Sequence, residues 1–114
     1  MKMMMTPIML TIAETPTFQR AWLDYWTEDE RGEFSSYLSL TPDAGDVVPG
    51  TGGVRKVRWS RAGAGKRGGV RVVYFNRLAD DEVWLLLIYS KNVKDNVPAE
   101  LLKLLKQEVN NAHD

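Results

Sequence analysis

The chain has 114 residues, 44% of them hydrophobic and 26% charged, a size and mix that suit one folded core and exclude a disordered tail, a collagen-like chain and a coiled coil. It has no Cys and one His, His113, which excludes disulfides and Cys-based metal or iron–sulfur centres and argues against a His ligand set or His general base. Fifteen Lys plus Arg balance fifteen Asp plus Glu, so the formal charge is zero.

Met1 to Leu10 is apolar with one Lys, but Thr6 and Pro7 interrupt it and no small-residue cleavage site follows. Positions 1–7 are therefore expected as a flexible extension of a single domain over 1–114. Ile8 to Ala13 reads as a short strand. Pro16 opens a helical pattern in which Phe18, Trp22, Tyr25 and Trp26 fall at i, i+4, i+7 and i+8, a core-facing stripe. Thr27-x-x-Glu30 has the form of a capping box, in which each side chain satisfies a backbone donor that a helix start leaves orphaned. A second helix is expected from there, with Phe34, Tyr37 and Leu38 inward, ending at Thr41-Pro42.

Val47 to Gly53 reads as a loop, Val54 to Ser60 as a strand of period two, and Arg61 to Gly69 as a flexible basic loop with four Gly. Val70 to Asn76 and Val83 to Ser90 follow as strands joined by a turn at Ala79-Asp80-Asp81. The last strand is apolar on both faces, which suits a central position, and far shorter than the roughly twenty residues that span a bilayer. Pro98 suits the first turn of a final helix, with Leu101, Leu104 and Leu105 inward and Lys103, Lys106 and Gln107 in water. Strand, two helices, three strands and a helix predict an α+β fold. With no convincing targeting or membrane segment, the cytoplasm is the default location and no membrane partner is expected.

The zero net charge hides an asymmetry. Val47 to Ala79 contains no Asp or Glu but holds Arg55, Lys56, Arg58, Arg61, Lys66, Arg67, Arg71 and Arg77. All fifteen carboxylates lie elsewhere, with only seven cations. On the strand over 54–60, Lys56 and Arg58 point to one face and Arg55 to the other. Strand pairing can bring Arg71 near the first two, with Lys66 and Arg67 on the connecting loop. Cations gathered in this way repel one another unless an anion repeatedly occupies the cluster or water solvates it well. Two readings follow: a phosphate-binding face, or a solvated basic face with stems lying over Trp59 and Phe75.

Gly63-Ala64-Gly65-Lys66-Arg67-Gly68 fits the G-x-G-x-x-G pattern, but a β-branched strand follows where the dinucleotide motif requires a helix. Arg67 also stands where a phosphate loop needs Ser or Thr for magnesium. No cofactor and no metal are therefore expected. An enzyme built from this chain works with Arg, Lys and Tyr. That set suits RNA cleavage by the neighbouring 2′-hydroxyl, where the substrate brings its own nucleophile. Arg stabilises the crowded phosphorane charge, and a Lys inside a cationic cluster has its ammonium disfavoured, which brings it toward the range of a general base.

The segment Thr41-Pro42-Asp43-Ala44-Gly45-Asp46-Val47-Val48-Pro49-Gly50-Thr51-Gly52-Gly53-Val54-Arg55-Lys56-Val57-Arg58 is followed by Gly65-Lys66-Arg67-Gly68-Gly69-Val70-Arg71-Val72-Val73-Tyr74 and by Leu86-Leu87-Ile88-Tyr89-Ser90-Lys91-Asn92. Together these resemble the hallmark of the HigB branch of the RelE-type toxins, over roughly residues 18 to 106. The resemblance implies the RelE-like microbial RNase fold, a small twisted antiparallel sheet with helices on one face and the RNA site on the other. It implies a toxin of a type II toxin–antitoxin module, a metal-independent endoribonuclease (mRNA interferase) that cleaves mRNA, in most cases on the ribosome, and so inhibits translation. The implied partners are mRNA, the ribosome and a cognate helix-turn-helix antitoxin, with DNA reached only through that antitoxin. By the same resemblance Arg71 contacts the scissile phosphate, and Lys66 and Lys91 complete the catalytic set. Lys56 and Arg58 are, by that resemblance, the basic pair that binds RNA, and Arg55, Arg61 and Arg67 are expected to bind RNA around them as cations of the same carboxylate-free segment. No Tyr follows Tyr89, whereas some relatives carry a C-terminal Tyr near the site, so the proton-transfer group stays open. Tyr89 itself either reaches the site face or packs inward. Two other readings use the same cations: a non-catalytic nucleic-acid-binding module or regulator (a decayed toxin), and a domain that docks an acidic protein.

Overall fold

In a computed structural model of the protein, residues 10–60, 69–90 and 97–112 are described. Strand β1 (Thr11–Glu14) leads into helix α1 (Pro16–Ala21), which tightens into a 3-10 turn over Trp22–Asp24, and then helix α2 (Glu28–Leu40). A two-residue strand β2 (Asp46–Val47) precedes β3 (Arg55–Trp59) and β4 (Val70–Arg77). A 3-10 turn (Leu78–Asp80) joins β4 to β5 (Glu82–Ser90), and helix α3 (Ala99–Ala112) closes the chain. The sheet order is β1-β5-β4-β3-β2. Neighbours are antiparallel except β1, which runs parallel to β5. The α+β class is as expected, with a mixed sheet, and β5 lies inside it as its two apolar faces imply.

The helix starts follow from local chemistry. Thr15 caps α1: its Oγ1 accepts from Phe18 N–H at 3.2 Å, and its backbone N–H donates to Leu85 O at 3.1 Å. The same hydroxyl lies 3.3 Å from both Leu85 O and Leu86 O, so it ties the helix start to β5. The Thr27–Glu30 capping box is present in both directions, at 3.2 and 2.9 Å. The stripe expected over Phe18 to Trp26 breaks after Ala21, yet Phe18, Trp22 and Trp26 are all buried. They meet Phe34 and Leu38 of α2 on one side of the sheet, against Val57, Val70, Val72, Tyr74, Val83, Leu85 and Ile88. On this side Arg31 grips Glu14 through two hydrogen bonds, 2.8 Å from Nε and 2.6 Å from Nη2, and lies over the Trp22 ring.

The third helix is where the expected layering changes. α3 packs on the opposite side, where Leu102, Leu105 and Val109 join Val54, Val73, Leu86 and Tyr89. Helices therefore lie on both sides of the sheet, and the basic strand face shares its side with α3. The buried stripe of α3 is offset by one residue from the expected one: Leu105 is buried as read, but Leu101 and Leu104 are exposed. Paired leucines at 101–102 and 104–105 fit either stripe. Val109 extends only the 102/105 one, and each buried side chain of this kind contributes about 1.5–3 kcal/mol. Lys106, expected in water, sits 4.6 Å over the Phe75 ring and donates to Gly52 O at 3.0 Å. Thr17 Oγ1 donates to Glu108 Oε2 at 2.9 Å, joining α1 to α3.

Two further features set the strand register. Val73 pairs with Leu87 and Tyr74 with Leu85, so Leu86 is an extra residue in β5. The bulge turns both Leu86 and Leu87 toward α3. The loop expected over 47–53 contributes a short strand, because Asp46 and Val47 pair with Lys56 and Arg55. Among the described residues no helix is long and apolar enough to cross a membrane.

Candidate nucleic-acid interface

The register of β3, β4 and β5 decides which side chains meet. Arg58 pairs with Arg71, and Arg71 pairs with Tyr89. Directly opposed residues in an antiparallel sheet point to the same side, with Cβ atoms about 4.5–5.5 Å apart. One row across three strands therefore reads Arg58, Arg71, Tyr89, on the side that carries α3. Lys56 lies two residues before Arg58, on the same side and opposite Val73. The expected grouping of Lys56, Arg58 and Arg71 is thus present.

Two arginines directly opposed are destabilising unless something neutralises them. Elsewhere three cations meet carboxylates. Arg31 pairs with Glu14 and Glu28, Arg77 with Asp80, and Lys103 with Glu100. Among the described residues, Lys56, Arg58 and Arg71 reach no carboxylate within ion-pair distance, and neither do the exposed Arg20 of α1 or Arg55 and Lys106, which donate to the carbonyls of Gly45 and Gly52. Asp46 stands opposite Lys56 in register, yet no ion pair forms there. Two polar atoms of the row are buried: Arg71 Nη1 and Tyr89 Oη, and neither has a hydrogen-bond partner among the described residues. Tyr89 is only 7% exposed. Burial pushes its phenol above the usual value, and the Arg71 charge partly opposes that rise.

Arg55 is not part of this group. It is opposite Tyr74, on the side of α1 and α2, and donates from Nη1 to Gly45 O at 2.6 Å. Its position in the alternation sends it there, and its guanidinium holds the loop before β2. Arg61, Lys66, Arg67 and Lys91 lie outside the described residues. Positions 61–68 join Ser60 to Gly69, and positions 91–96 follow Ser90. Ser90 is opposite Val70 and Val70 is opposite Trp59, one residue along each strand from the Arg58–Arg71–Tyr89 row. Gly69 at this end has φ +68°, and a Cβ there would collide with Trp59 O and Ser60 Oγ. Its lack of a side chain lets the chain close back onto β3.

The Gly50-Thr51-Gly52-Gly53 stretch proves structural. Thr51 is buried; its Oγ1 donates to Val48 O at 2.7 Å and accepts from Val54 N–H at 3.1 Å, closing the turn that launches β3. Of the two readings of Tyr89, the structure shows inward packing: its ring is buried in the α3 cluster, on the strand position opposite Arg71. The signal in the sequence was the strand alternation, but it places Tyr89 beside Arg71 only once the register is known. What the row offers chemically is fixed positive charge and two unpartnered donors, a setting that favours a phosphate oxygen.

No family model matches the chain. Its fold is similar to that of the E. coli toxin RelE, solved as a doubly substituted variant in the free state, with a TM-score of 0.60 at 10% identity, covering 86% of this chain and 97% of that one. It is also similar to the toxin–antitoxin complex RelBE2 from Mycobacterium tuberculosis, with a TM-score of 0.57 at 18% identity, covering 75% of this chain and 94% of that one. The chain has the fold of RelE-like toxins.

Proposed function

We propose that this protein is a RelE-like toxin, of the HigB branch, from a toxin–antitoxin module, and that it is an endoribonuclease that cleaves mRNA on the ribosome and so inhibits translation. The observation that carries this reading is the Arg58–Arg71–Tyr89 row with Lys56 beside it, a cationic group without carboxylate partners among the described residues. The sequence motifs and the shared fold support it. In the reaction the 2′-hydroxyl gives up its proton as its oxygen bonds to the adjacent phosphorus. The bond from phosphorus to the 5′ oxygen breaks, and that oxygen takes a proton. The products are a 2′,3′-cyclic phosphate and a 5′-hydroxyl, with no metal or water consumed. Arg71 holds the scissile phosphate and neutralises the charge that grows on it. Lys66 and Lys91 serve the proton transfers, and Lys56, Arg58, Arg61 and Arg67 hold the flanking phosphates. A cognate helix-turn-helix antitoxin silences the site, and both act in the cytoplasm.

The test is a reconstituted translation reaction with the purified protein. The expected outcome is mRNA cut at ribosome-bound sites, with 2′,3′-cyclic phosphate ends. RNA affinity should fall roughly 10²- to 10³-fold between 50 and 200 mM salt if four to six phosphates are contacted. Intact mRNA with tight, salt-sensitive RNA binding would instead favour the non-catalytic module.

A further inference from the structure

We propose that the Tyr89 hydroxyl and Arg71 Nη1 form a two-donor seat for a phosphate-class anion, and that Tyr89 is a catalytic residue, donating a hydrogen bond to a non-bridging oxygen of the scissile phosphodiester. The catalytic half rests on the endoribonuclease reading; the seat itself does not.

The inference starts from a cost. A buried hydroxyl without a partner destabilises a fold by about 1–3 kcal/mol, and a charged group by more. Phe would fill the same volume at position 89 without that penalty. The chain instead places a hydroxyl and a guanidinium nitrogen, both buried and both unpartnered among the described residues, on directly opposed positions of β4 and β5. Directly opposed residues share a side of the sheet with Cβ atoms about 4.5–5.5 Å apart, which sets the two groups side by side. Arg71 Nη1 can only donate and the protonated Tyr89 hydroxyl can donate as well, so one acceptor completes both at once, and the charge beside them favours an anion. Arg58 on the next strand adds a further positive charge to the row. Burial keeps the Tyr89 phenol protonated through the neutral range, so it is present as a donor.

An unpartnered hydroxyl is not a general property of tyrosines in this sheet. Tyr74, on β4, is fully buried, and its hydroxyl is satisfied twice: it donates to Pro42 O and accepts from Gly45 N–H, both at 2.8 Å. In the reaction Tyr89 keeps its proton and no bond to it forms or breaks. Its contribution is a donor fixed before charge develops on the phosphorane, when no reorganisation is needed.

The experiment compares the wild type with Tyr89→Phe, which removes one oxygen and keeps the ring in the α3 cluster. The first arm titrates inorganic phosphate at constant ionic strength and reads the melting temperature. The wild type should be stabilised, and Tyr89→Phe should bind phosphate roughly 10- to 100-fold more weakly, as expected for a hydrogen bond to a charged group. A wild type indifferent to phosphate, or a Tyr89→Phe variant that binds it equally well, overturns the seat. The second arm measures single-turnover mRNA cleavage, with an expected loss of roughly 10²-fold in rate and little change in RNA affinity. Cleavage by Tyr89→Phe at the wild-type rate overturns the catalytic role while leaving the endoribonuclease reading intact. A wild type that binds phosphate through Tyr89 but cuts no RNA supports the seat and removes the reading on which the catalytic half depends.

Discussion

Tyr74 and Tyr89 sit on adjacent strands and face opposite sides of one sheet. Both are buried, and burial raises the pKa of both phenols. Although Asn76 Oδ1 on the same strand is buried without a partner among the described residues, the hydroxyl of Tyr74 is answered twice. Its hydroxyl, together with Asn76 Nδ2, which donates to Pro42 O at 2.9 Å, clamps the turn from Pro42 to Gly45. Around Tyr89 the hydroxyl and its Arg71 neighbour are left open among the described residues. One tyrosine hydroxyl thus fastens a turn, and the other sits opposite an arginine with neither group hydrogen-bonded among the described residues. A buried donor without a partner calls for an explanation, and a functional site is one place where such groups are retained.

The comparison can be sharpened by removing each oxygen in turn. Tyr74→Phe leaves the Gly45 N–H without its acceptor and should cost about 1–3 kcal/mol in a urea melt. Tyr89→Phe removes a polar atom that has no described partner, so its stability should be unchanged or slightly higher. Equal losses at both positions would break the contrast. A smaller effect is expected at high pH. Both folded-state phenols titrate above the ordinary value of 10.0. As pH rises past that value, the unfolded chain releases protons that the folded chain keeps, so stability present at lower pH is lost between that value and the folded-state ones. Either Phe variant should flatten this alkaline decline, as read from urea midpoints on both sides of about pH 10.

Much of this was legible in the sequence, and the reasons are local. The capping box at Thr27 and Glu30 needs only residues three apart, and it is present as read. Period-two alternation fixed the sides of Lys56, Arg58 and Arg55 on one strand, and β3 to β5 fall close to their expected spans. What failed to show depends on distant partners. The side taken by α3 follows from contacts with Val54, Val73 and Leu86, none of which is near it in the chain. Its stripe was ambiguous because adjacent leucines satisfy two faces equally. β2 is two residues long and exists only through pairing with β3. Arg55 was counted among RNA-binding cations on charge alone, and its bond to Gly45 O belongs to tertiary structure. Tyr89 could not be assigned because its neighbour Arg71 is eighteen positions away and is set beside it by register alone.

The most direct test of the account is Arg71→Ala, assayed for growth arrest and mRNA cleavage alongside its melt. Arg71 carries a buried, unpartnered nitrogen opposite another arginine, so truncation should leave the melting temperature nearly unchanged or raise it. Cleavage should fall by roughly 10²-fold or more, and growth arrest should disappear. A well-folded Arg71→Ala protein that cuts mRNA and arrests growth like the wild type would contradict the claim that this row of the sheet holds the reacting phosphate.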